Sequence, residues 1–284
     1  MNTYENGSTL PTYFISHGGG PWYWMPDMRP AYKHLESSLQ EMAREMGPNL
    51  KAILSVSGHW EEKEFTVMTS ANPSMFYDYG GFPEHTYRVK YSAPGSPEVA
   101  THVGELLSDA GLEARTDGSR GFDHGTFVPL AAAFPDANVP VLQLSIRHDY
   151  DPAAHLAAGR ALAPLRKEGV LIIGSGLSYH NLRQFGPQAV APSREFDAWL
   201  TETVTGSIVQ ERSEKLRNWS EAPSARSAHP REDHLIPLMV AAGAAENEAG
   251  VRVYHEDAFF GGISVSSFRF GAVPEPAAEM AAGR

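Results

Sequence analysis

Histidines stand directly behind apolar, β-branched runs at three places in this chain: TYFIS leads into His17, AILSVSG into His59 and LIIGSGLSY into His180. In an open α/β sheet, ligands bind in the crevice beyond the carboxyl ends of the parallel strands, so these imidazoles are expected to converge on one site. Convergent imidazoles suit a metal ion. The HPREDHLIP segment adds His229 and His234 ahead of an apolar helical stretch, and GFDHGTF adds His124. His229 and His234 are five residues apart, so they do not share a helical face as an i, i+4 pair does. One of the two is expected to bind, and His234 lies nearer the helix that would anchor it. Glu232 or Asp233 offers the carboxylate of a two-histidine, one-carboxylate set. Acids there also favour the positive end of the helix that follows.

Other residues in the same segments carry more than one reading. Asp123 either hydrogen-bonds His124 or caps the next helix. The glycines of SHGGG lack the spacing of a dinucleotide fingerprint and the lysine of a P-loop, so they are read as a sharp turn beneath His17. Trp22, Tyr23 and Trp24 either line an aromatic pocket for a flat substrate or plug the loop. Arg183, near His180, offers a bidentate fork to a substrate carboxylate, or a surface ion pair. His34, His102, His148, His155 and His255 stand in helical or polar contexts and read as solvated.

The elements that must hold these groups alternate along the chain. TYFIS is a strand, residues near Leu35, Leu39 and Met42 mark a helix, and Lys51 to Val56 form the next strand. FTVMTS and HTYRVKY read as two more. A helix is expected from Ser96 to Leu107, with Ser96 as N-cap and Pro97 at the first helical position. VPVLQLSI and GVLIIGSG flank an Ala-rich helix from Pro152 to Lys167. Residues 194–217 read as one or two amphipathic helices, and residues 235–246 as a helix that tolerates Pro237 only in its first turn. VRVYHE and ISVSSFRF close the pattern as strands. The alternation predicts an α/β fold: a single domain over residues 1–272 with a mostly parallel central sheet and helices on both faces. Residues 273–284 are expected to be a flexible tail.

Composition narrows the chemistry. The 284 residues include no cysteine, which excludes disulfides, thiolate zinc sites, iron–sulfur clusters and cysteine nucleophiles. A net charge of −11 without a basic cluster argues against nucleic acid. The N-terminal residues lack a signal-peptide pattern and no apolar run reaches membrane-spanning length, so a soluble, cytoplasmic protein is the default.

HGGG after the first strand, SGHW after the next, YDYGGFP, YSAPGSPE, GFDHG and HPREDHLIPL together resemble the DOPA-dioxygenase type of class III extradiol ring-cleavage enzymes, related to the catalytic subunit of protocatechuate 4,5-dioxygenase. The resemblance runs from residue 17 to residue 245. It implies a single nonheme metal held by His17, His59 and His234, the last chosen because LIPL after it keeps the family register. It also implies proton transfer by His124 and His180, ferrous iron as the working metal, and a catechol and O2 as substrates. Zinc could occupy the site in purified protein, in accord with the general affinity order. The expected product is a muconate semialdehyde. His180 is expected to deprotonate the catechol and His124 to donate a proton during O–O cleavage, with Trp22, Tyr23 and Arg183 as substrate-binding candidates. A homo-oligomer is compatible with the sequence. Two rival readings are a zinc hydrolase, since nitrogen-rich sites also activate water, and a non-catalytic, Memo-like binding protein on the same fold. Retention of both His124 and His180 tilts against the second.

Overall fold

The near-continuous apolar runs found in the sequence are what strands covered on both faces require. The computed structural model describes residues 9–47, 50–206 and 208–274. The strands are β1 (Thr12–Ser16), β2 (Ala52–Glu62), β3 (Phe65–Met68), β4 (Ala114–Asp117), β5 (Val141–Arg147), β6 (Val170–Gly176), β7 (Gly250–Phe259) and β8 (Ile263–Phe270). They form one eight-stranded sheet in the order β4-β3-β5-β2-β6-β1-β8-β7. Its heart, β5-β2-β6-β1, is parallel throughout. β8 joins β1 antiparallel and pairs with β7 as a hairpin, and β3 joins β5 antiparallel.

The helices are α1 (Lys33–Met46), α2 (Pro97–Asp109), α3 (His124–Ala133), α4 (Pro152–Leu162), α5 (Val190–Thr205), α6 (Val209–Arg217), α7 (Ala225–Ala228) and α8 (Ile236–Ala244). Alternate residues of a strand face opposite sides, and β6 shows which helix lies on each. Ser175 donates to the carbonyl of Gly125 in α3, whereas Gly176 faces the carbonyl of His234 at the entrance to α8. Both α3 and α8 are buried all round. A helix apolar on every side must be enclosed, and α8 lies between the sheet and α4 while α3 lies between the sheet and α1. The single α/β domain with helices on both faces is therefore as the sequence predicts.

Four local expectations need correction. HTYRVKY is not a strand: residues Glu84–Arg88 form a 3-10 turn, closed where the backbone N–H and hydroxyl of Thr86 both donate to the carbonyl of Pro83. The edge strand β4 was not anticipated, because ARTD is polar and largely solvated and carries no apolar signal. The Ala-rich helix leaves α geometry at Leu162, since Pro164 has no N–H to continue the ladder, and Ala163–Glu168 is 3-10. His155 is not solvated but fully buried. It accepts from the backbone N–H of Arg147 at Nε2 (3.0 Å) and donates from Nδ1 to the carbonyl of Asp151 (2.7 Å), tying the end of β5 to the start of α4. Of the proposed tail, residues 275–284 lie outside the described residues.

Two predictions follow from these close fits. A Cβ at Gly176 would stand 2.0 Å from the carbonyl oxygen of His234, backbone against backbone. Gly176→Ala should therefore cost roughly 1–3 kcal/mol in stability, as overpacking does, and displace His234; urea melts with metal titration measure both. Burial lowers the pKa of His155 from 6.5 to about 4. The unfolded chain then takes up that proton first, so stability present above pH 6.5 is lost as pH falls from 6.5 to about 4, by on the order of 3 kcal/mol. His155→Gln should flatten that part of the pH–stability curve relative to the parent protein.

Candidate active site

Each converging histidine is aimed by its own backbone anchor. The N–H of His17, just past β1, donates to the carbonyl of Gly176 (3.1 Å). The chain then turns through Gly18 at φ +81°, a conformation open to glycine. The indole of Trp22 returns to donate to the carbonyl of His17 (2.9 Å). His59 lies inside β2, which runs on to Glu62 rather than stopping at Val56, and its register with β5 slips between Val56 and Glu61. Such an irregularity re-aims a side chain. The N–H of His59 donates to the hydroxyl of Ser57, which donates to Asp123, and Arg120 donates to the carbonyl of His59. The carbonyl of His234, two residues ahead of α8, accepts from the N–H of Leu177 just beyond β6 (3.1 Å).

The three rings meet at one edge. The Nε2 atoms of His59 and His17 are 3.3 Å apart, and those of His59 and His234 are 3.1 Å apart. Burial lowers the pKa of all three well below the usual imidazole value, and the charge of neighbouring histidines lowers it further. They are neutral near pH 7, so each presents at most one N–H and cannot satisfy both neighbours. Two nitrogens bound to one ion at ~2.1 Å with tetrahedral or octahedral angles stand ~3.0–3.4 Å apart, and the observed spacings fall in that interval. The spacings on both sides of His59 suit nitrogens that share a divalent cation, and His124 also lies close enough to His17 and His59 to complete such a group.

Two acids stand behind the rings. Asp78 accepts from both the backbone N–H (2.9 Å) and Nδ1 (2.8 Å) of His124, and its other oxygen lies 3.2 Å from Nδ1 of His59. Asp233 lies 3.0 Å from Nδ1 of His234 and 3.9 Å from Nδ1 of His180. Of these contacts, only that of His124 with Asp78 is a hydrogen bond, and it holds the Nδ1 proton of His124 and leaves its Nε2 free. Asp78 has no role assigned from the sequence; the signal that carries it is the YDYGGFP segment, one of the motifs of the resemblance.

The structure brings His17, His59, His124, His180 and His234 into one cavity of about 480 Å³. His180 stacks on His234 with ring centroids 3.4 Å apart, and burial lowers its pKa. His229 is elsewhere: fully buried, it contacts the carbonyl of Ser178 through Nε2 (2.9 Å) and packs against Phe196 and Trp219. Glu232 pairs with Arg226. Asp123 caps α3 through the N–H of Thr126 and does not reach the ring of His124, which Asp78 holds instead.

The three substrate-binding candidates do not line the cavity. Trp22 is fully buried and stacked on Tyr32, supporting the turn from below, so the loop plug is the reading that holds. Tyr23 lies under the guanidinium of Arg29, and Arg183 is exposed outside the cavity.

Comparison with known proteins places the chain in a family. The family described as the catalytic LigB subunit of aromatic ring-opening dioxygenase matches residues 11–271. A 4,5-DOPA dioxygenase extradiol of Beta vulgaris is 40% identical over 91% of this chain and 96% of its own length. The dioxygenase tasH of Hapsidospora irregularis is 35% identical over 92% of this chain and 85% of its own length. An uncharacterized protein of Escherichia coli K12 superposes with a TM-score of 0.72 at 29% identity, covering 92% of this chain and all of that one. The Beta vulgaris and Hapsidospora irregularis relatives are both named as dioxygenases. The chain belongs to the LigB family of metal-dependent aromatic ring-opening enzymes and is a class III extradiol dioxygenase.

Proposed function

We propose that the enzyme cleaves a catechol with O2, inserting both oxygen atoms as the carbon–carbon bond beside the two hydroxylated carbons opens, to give a muconate semialdehyde. The observation that carries this reading is the meeting of three neutral Nε2 atoms 3.1 and 3.3 Å apart, flanked by two further imidazoles. His17, His59 and His234 hold the metal, taken to be ferrous iron. When bound, the iron supplies a charge centre for the catechol oxygens and an open position for O2. Neutral ligands leave its charge uncompensated, which favours a deprotonated catechol.

The remaining steps belong to the chain's own residues. His180, kept neutral by burial, accepts the catechol O–H proton at its ring nitrogen. His124 donates its Nδ1–H to Asp78 and turns Nε2 toward the cavity, where it can take up and return a proton while Asp78 holds the other edge of the ring. Asp78 thereby places both a ligand and a proton carrier. Apolar groups such as Leu177 and Phe82 line the cavity around them and limit water.

The decisive measurement is oxygen uptake after ferrous reconstitution, with catechols supplied in air. Equimolar O2 consumption and a yellow ring-opened product are expected, and both should vanish on chelation or on replacement of iron by zinc. Turnover that continues without O2 would end this reading. His180→Gln should lower kcat by about 10²–10⁴, the range of general acid–base contributions. Asp78→Asn should weaken metal binding by about 10–100-fold as well as lowering kcat, because the same carboxylate backs His59. If the aspartate variant bound metal as tightly as the parent, the carboxylate would not position that ligand.

A further inference from the structure

Resting on the catechol reading, we infer that the preferred substrate carries an uncharged, apolar substituent rather than a carboxylate. Beyond the five histidines, Asp78 is the one acid lining the cavity, and among the described residues neither lysine nor arginine lines it. Arg120 is committed to Asp123 (2.8 Å), Arg231 to Glu61 (2.5 Å) and Arg29 to Glu36 (2.5 Å), and Arg183, next to Leu182 in sequence, is exposed outside the cavity. A substrate carboxylate in this enclosure would lose its water without gaining a cation, which is costly. The chain's net charge of −11 adds long-range repulsion of anions.

The walls away from the histidines suit the opposite chemistry. Tyr32, Phe259, Phe260 and Phe185 form a continuous run of ring contacts, with centroids 4.7–6.1 Å apart. At the mouth two apolar side chains face solvent, Leu182 at 73% exposure and Phe260 at 44%. Phe260 also holds a left-handed backbone, φ +41°, at the turn between β7 and β8. A bulky aromatic in that conformation is strained, and such strain concentrates at ligand clamps. Exposed apolar side chains rimming a cavity mark where an apolar ligand is covered. The catechol ring reaches the histidines, and its substituent extends along these rings toward Leu182 and Phe260.

A pair of catechols matched in shape and differing in charge tests this: 4-isopentylcatechol and dihydrocaffeate, with plain catechol as control, on the iron-reconstituted enzyme. The expected result is a kcat/KM at least about tenfold higher for the alkyl compound, the size of discrimination an apolar pocket gives. Anaerobic titration calorimetry should give the same order in Kd. Leu182→Arg, which places a cation at the exposed mouth, should narrow the gap by raising kcat/KM for dihydrocaffeate. Equal or better use of dihydrocaffeate by the parent enzyme overturns the inference while leaving ring cleavage intact. Failure with all three compounds, plain catechol included, overturns the catechol reading and this inference with it.

Discussion

Five imidazoles can share one buried cavity only while nearly all of them stay uncharged. Each additional positive ring would face its neighbours at 3–5 Å with little water between, and burial already opposes the charged form. Much of the architecture serves that condition. Hydrophobic strands and the all-apolar helices α3 and α8 keep water away, and Asp78 and Asp233 stand behind the rings, where they can hold protons on Nδ1. The lone pairs are left turned inward, an arrangement that repels itself until a cation occupies the centre. The same enclosure lowers the imidazole pKa values and leaves neutral nitrogen donors of the kind a metal ion takes.

The parallel sheet makes this arrangement possible because it delivers chain ends from distant parts of the sequence to one edge. β1, β2 and β6 supply His17, His59 and the turn that carries His180, and the starts of α3 and α8 supply His124 and His234. Around His17 and His234 these contributions interlock through backbone. His17 donates to Gly176, Leu177 donates to His234, and Gly176 lacks a Cβ so that the carbonyl of His234 can approach. Side chains hung on such backbone contacts lose little freedom on ligand binding, which is how a site on a rigid frame keeps its geometry.

Much of the frame and of the histidine set was legible in the sequence, because both follow from short-range patterns. Apolar β-branched runs mark buried strands, and a histidine behind such a run lies at the sheet's carboxyl edge. What escaped depends on partners far away in sequence. Asp78 looks like an ordinary loop acid until folding brings it 2.8 Å from His124, 46 residues on. His155 sits on an amphipathic helix and is buried because its two nitrogens bridge backbone groups at the β5–α4 junction. Aromatic residues after a glycine turn suit either a pocket or its underside, so sequence alone leaves Trp22 and Tyr23 open to both. The indole hydrogen bond to His17 places Trp22 on the underside.

One carboxylate serving two imidazoles has a further consequence. Asp78 touches His124 with one oxygen and approaches His59 with the other, so the two rings are not independent. When a proton arrives at Nε2 of His124, its Nδ1–H bond to Asp78 strengthens, as hydrogen bonds between ionised partners do. Negative charge drawn toward that bond is charge withdrawn from behind His59, which becomes a slightly poorer electron donor at Nε2. The carboxylate that holds the ring of His124 thus also couples it electrostatically to His59.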